Sequence, residues 1–171
     1  PDDFRAVQGY FLRGDAYLGL NRWQEAINDF QQYLTLRPGV IDSYVHERIG
    51  DAQLALERFD DAFNSFTRAA DATRSLVPQL ALREKLARLH TLSGQVELAV
   101  AQYDAILAVA QNAPYRATIE FRAAEALLDA GDRNNGLQRM ERIFNEYVGQ
   151  PQAYQAMDIL LESGRQLDRY A

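Results

Sequence analysis

"GDAYLGLNRWQEA", residues 14–26, returns at residues 50–62 as "GDAQLALERFDDA", and the two stretches share seven of thirteen letters at a constant offset of 36. Residues drawn at average usage would give about one coincidence. Self-similarity at a period of a few dozen residues is the mark of a repeat architecture. Two fainter copies follow. Ala26, Ala62, Ala99 and Gly136 fall at intervals of 36, 37 and 37. Four residues after each stands a large apolar side chain, Phe30, Phe66, Tyr103 or Met140, and twelve residues before each a small one, Gly14, Gly50, Ala87 or Ala124.

Each unit reads as two helices. "DDFRAVQGYFLRGDAYLGL" keeps apolar residues three and four apart, with Asp2 or Asp3 suited to the N-cap. "NR" interrupts it, Asn21 being able to adopt the left-handed conformation that closes a helix. "WQEAINDFQQYLTL" is the partner, stopped by "RPG" at residues 37–39. The pattern predicts further helices over 41–56 and 59–73, 78–92 and 95–110, 115–130 and 134–147. Pro78 fits the first turn of its helix. After Pro151, "QAYQAMDILLESG" predicts the first helix of a fifth unit, and "RQLDRYA" the start of its partner.

The alternation of small and large positions has a steric reason. Two antiparallel helices approach closely only where one side chain is tiny, and the partner's ring then fills the space beside it. A single hairpin cannot bury its apolar face alone, so successive hairpins stack into a continuous core. Gly136 inside a helix costs about 1 kcal/mol against Ala, and tight packing is the reading preferred over a hinge.

These residues resemble the tetratricopeptide repeats, whose pattern runs aromatic, Leu-Gly, Tyr, then Ala-x3-Phe and Pro. The first unit matches with Tyr10, Gly14, Tyr17, Ala26, Phe30 and Pro38, although Arg13 stands where Leu is usual. The second offers Ile49, Gly50, Ala62 and Phe66, the third Leu86, Ala87, Ala99 and Tyr103, and the fourth Ala124, Gly136 and Met140. The resemblance implies an all-α, right-handed solenoid of antiparallel hairpins. Its repeats would cover about 3–38, 41–74, 78–112 and 115–148, with a partial fifth over 151–171, in a single domain. The period of 36 to 37 exceeds the family's 34, the surplus falling between hairpins.

The same resemblance implies that the first helix of each hairpin lines a concave groove. Its fifth and ninth positions supply Phe11, Glu47, Glu84 and Phe121, then Asp15, Asp51, Arg88 and Glu125. One step round the helix lie Arg48, Lys85 and Arg122, spaced by 37. This row could form a cationic ladder for an acidic partner, or its members could pair with Glu47, Asp51, Glu84 and Glu125, the reading favoured. Family members that grip a chaperone's C-terminal carboxylate use Lys and Asn where Phe11 and Asp15 stand here, and an aspartate would repel that group.

Composition narrows the function. The formal net charge of −6 argues against nucleic acid, and no apolar run approaches a membrane span. Cysteine is absent, which removes disulfides and thiolate chemistry without identifying a compartment. Only Lys85 among the 18 basic residues is lysine. His46 and His90 read as packing residues; with no Cys and no His pair at i, i+4, neither a metal site nor another cofactor is expected. No phosphate loop or nucleophile elbow is present. The expectation is a non-catalytic protein-interaction or scaffold module that holds a partner segment in its groove. The runs "YVHERIGDAQLAL", "AVAQYDAILA" and "YRATIEFRAAEALLDAG" also resemble the helical region of bacterial soluble lytic transglycosylases, which implies an accessory arm of an envelope enzyme as the alternative. Without an initiator Met, and with "PDDFRAVQ" at its start, the chain is expected to be a fragment of a longer bacterial protein.

Overall fold

The computed structural model describes residues 4–164; the expected caps Asp2 and Asp3 and the expected helix start in 165–171 lie outside them. The described residues form nine α-helices and no strand: α1 (Phe4–Gly19), α2 (Trp23–Leu36), α3 (Asp42–Ala55), α4 (Phe59–Ala72), α5 (Leu76–Leu92), α6 (Val96–Leu107), α7 (Ala113–Asp129), α8 (Arg133–Glu146) and α9 (Pro151–Glu162). α2 matches its expected span end to end. α5 starts two residues ahead of Pro78, which falls in its first turn as expected. α7 starts two residues before Tyr115 because the Asn112 side chain accepts the Tyr115 amide at 3.0 Å and Pro114 occupies the first turn.

The turns inside the hairpins repeat one geometry. Asn21, Glu57, Gly94 and Gly131 all lie in the left-handed region, at φ of 57°, 58°, 72° and 86°. In each case the next amide donates back to the carbonyl five residues earlier: Arg22 to Tyr17, Arg58 to Gln53, Gln95 to His90 and Asp132 to Leu127, all at 2.8–2.9 Å. This bond satisfies a carbonyl that the helix end would otherwise leave open and turns the chain into the partner helix. Gly164 adopts the same conformation after α9, at φ 76°.

The chain divides into two compact units, residues 1–86 and 87–171, with the boundary inside α5. In the first, α1 packs on α2, α2 on α3 and α3 on α4. Ala26, Ile27, Phe30, Val45, Ile49 and Ala52 form its core. The crossings are as tight as the small–large alternation requires: a Cβ added at Gly14 would stand 2.9 Å from the Phe30 ring, and one at Gly50 2.6 Å from the Phe66 ring. In the second unit α6 packs on α7, α7 on α8 and α8 on α9. Its core gathers Ala117, Ala124, Leu137, Met140, Ile143, Phe144 and Leu160. A Cβ at Gly136 would meet the Leu128 side chain at 2.6 Å, so this glycine is there for close packing of α8 on α7.

Candidate functional site

On the first unit, the residues singled out on α1, α3 and α5 are brought into contact chiefly with one another and with the core. The half-buried Phe11 ring lies tilted against Phe30, Tyr33 and Tyr44, at centroid distances of 6.0, 5.6 and 6.0 Å. The Arg48 guanidinium stacks 4.7 Å over the Tyr44 ring, donates to the Tyr44 hydroxyl at 2.5 Å and reaches Asp15 at 3.9 Å. Burial works against its charge, but Tyr44, Asp15 and Asp51 outweigh that and raise its pKa. The Lys85 ammonium sits 2.8 Å from Glu47 and 2.6 Å from Asp51, and 5.3 Å from the centre of the Phe66 ring. Glu84 is half-buried and engaged with neighbouring groups. Two members of the expected cationic row, Arg48 and Lys85, are thus matched by carboxylates of their own unit.

On the second unit the arrangement is open. The last turns of α5 and the C-terminal half of α7 flank a cleft of about 500 Å³. Arg88, Thr91 and Leu92 line one wall, Arg122, Glu125, Ala126 and Asp129 the other, and Tyr103 of α6 forms the floor. Spacings of three, four and seven put each set on one helical face, so Arg88, Arg122 and Glu125 line the same cleft. Phe121 packs against the core of the unit, the arrangement favoured for a single aromatic at such a position. Partial desolvation at the cleft wall pushes the Glu125 carboxyl up although the residue is exposed, Asp129 one turn away adds to the rise, and Arg122 opposes it.

Two charged networks escaped the sequence reading. Arg13 holds the buried carboxylate of Asp29 with two hydrogen bonds, of 2.6 and 2.7 Å, which raise the Arg13 pKa. Its signal was in plain view: an Arg at a position where the repeat pattern has Leu. Glu120, only 2% exposed, accepts from Arg139 at 3.1 Å and Arg142 at 3.0 Å, while Arg139 also grips Asp104 at 2.8 Å. Burial pushes the Glu120 carboxyl up and the two guanidinium groups pull it back. Its position three after Ala117 and four before Ala124, on the apolar stripe of α7, was the clue.

The two histidines belong to different units. His90 is buried, with Nδ1 2.8 Å from the Gln95 side-chain oxygen. Half-buried His46 lines a second cleft of about 500 Å³ between α2, α3 and α4, alongside Asp42, Asn64 and Arg68. Burial, then Arg68, lowers its pKa. Among the described residues no group of three or more His, Asp or Glu could hold a metal ion, and no helix is long and apolar enough to cross a membrane.

The family model "Tetratricopeptide repeat" matches residues 7–40, which hold most of α1, all of α2 and the turn after them. Residues 7–40 are thus similar to a tetratricopeptide repeat. The same fold extends through the described helices. MamA superposes with a TM-score of 0.66 at 14% identity, over 94% of this chain and 83% of that one. A Podosopora anserina protein, described as a kinesin light chain with nearly identical TPR-like repeats, gives 0.64 at 19% identity, over 93% and 90%. The C-terminal part of a TPR repeat-containing protein from Cytophaga hutchinsonii gives 0.62 at 18% identity, over 90% and 60%. Identities this low establish the fold alone. No curated protein sequence matches the chain. The tetratricopeptide fold is in general a scaffold for protein–protein interaction, and its partners are proteins.

Proposed function

We propose that this chain is a non-catalytic interaction module and that its second unit holds a peptide segment of a protein partner in the cleft between α5 and α7. The observation that carries the reading is the cleft itself. Two helical faces present a cation, a hydroxyl and an exposed Leu on one side and a cation with two carboxylates on the other, over an aromatic floor. Side chains of several chemistries in two facing rows suit the reading of a peptide's side chains, with binding driven by a few anchors in pockets. On the first unit, Arg48 and Lys85 are spent on internal pairs, which weakens the case there for an acidic ligand.

The test is selection of binders from a random twelve-residue peptide library displayed on phage, followed by amide chemical-shift mapping of the selected peptides on isotopically labelled protein. Shifts concentrated in 88–92 and 122–129, lost when Thr91→Trp fills the cleft, support the proposal. Selected peptides that map to other surfaces, or the absence of any enrichment, overturn it.

A further inference from the structure

Three features of the cleft go beyond peptide binding to the chemistry of the peptide, and what they imply rests on that reading of the cleft. First, Glu125 and Asp129 stand one turn apart on α7, both exposed, and like charges at this spacing repel. Arg122 lies close enough to oppose the effect of Asp129 on Glu125 but does not cancel it. Second, Arg88 projects from the opposite wall, exposed and, among the described residues, with no ion pair within 4 Å. Third, Leu92, one turn after Arg88 on the same wall, is 62% exposed. Opposite charges thus face each other across open space, each on its own helix, where in the first unit Lys85 bridges such a gap to Glu47 and Asp51 directly.

We infer that the cleft selects a peptide carrying a basic side chain, seated against Glu125 and Asp129, together with a carboxylate for Arg88. The basic group relieves the repulsion between the two carboxylates, and a guanidinium can bond both in its planar fork. The peptide's carboxylate, from an acidic side chain or a chain terminus, takes the one cation of the wall that has no internal partner. An apolar side chain between the two charges covers Leu92.

The experiment uses the intact chain and the same twelve-residue phage library, selected in parallel on the wild type, on Glu125→Gln/Asp129→Asn and on Glu125→Lys/Asp129→Lys, each variant first shown by circular dichroism to keep its helix content. The expected result is enrichment on the wild type of peptides that combine Lys or Arg with Asp, Glu or a free C-terminus. Replacing the basic residue of a selected peptide by Ala should weaken binding at least tenfold by fluorescence anisotropy. The preference for basic residues should vanish on the neutral variant and turn to acidic residues on the reversed one. Peptides that map to 88–92 and 122–129 but show no basic preference, or prefer acidic residues, would overturn this inference and leave the peptide-binding proposal standing. Peptides that map elsewhere overturn both.

Discussion

Adding one methyl group at Gly50 tests the packing that repeats along the chain. In an exposed helix interior, Gly→Ala stabilises by about 0.5–1 kcal/mol, because Ala has less backbone freedom to lose. Gly9 in α1 is such a site, with nothing within 4 Å of an added Cβ. At Gly50 the same methyl would stand 2.6 and 2.7 Å from two atoms of the Phe66 ring. Phe66 is 0% exposed and its ring is stiff, so relief requires α3 and α4 to separate. Overpacking of this kind costs about 1–3 kcal/mol, which outweighs the helical gain. Gly9→Ala is therefore expected to raise the melting temperature and Gly50→Ala to lower it, at roughly 2–4 °C per kcal/mol for a chain of this size. Gly14→Ala, with its contact at 2.9 Å, should fall between them. Thermal and urea unfolding followed by helical circular dichroism would measure all three. If Gly50→Ala stabilises as much as Gly9→Ala, the close-crossing account is wrong.

Other substitutions probe the turns, the ion pairs and the cleft. Glu57 holds a left-handed φ of 58° where the later hairpins use glycine, so Glu57→Gly should stabilise by up to about 1 kcal/mol in the same unfolding assay. Removing Arg13 strands a buried carboxylate, whereas removing Asp29 leaves a cation already in water. Arg13→Ala should therefore lower the melting temperature more than Asp29→Ala, and equal effects would refute the asymmetry. Glu125 faces Asp129 and Arg122 on its own helix and Arg88 across the cleft, and its pKa is raised, so it takes up a proton at a higher pH than an ordinary glutamate. Affinity for a basic peptide should accordingly begin to fall while free carboxylates are still ionised as pH drops, and Glu125→Gln should flatten that part of an anisotropy titration.

The letters alone carried the period, the helices and their turns, because these depend on short-range physics. Spacings of three and four define a buried stripe, a residue able to adopt positive φ ends a helix, and a tiny side chain twelve residues before a small one marks a crossing. Hence α2 falls on its expected span, and Gly14 and Gly50 lie where the Phe30 and Phe66 rings need room. Helix ends drifted where capping decided them, as at Asn112 before α7. Tertiary structure decided which charges meet. Arg13 and Asp29 are 16 residues apart, Arg139 and Glu120 19, Lys85 and Asp51 34. Whether such groups touch depends on how far each helix is rotated about its axis, a few tens of degrees that many distant contacts set together and no local pattern encodes. The same rotation pairs Lys85 with Glu47 and Asp51, and leaves Arg88 and Glu125 on opposite walls of a cleft.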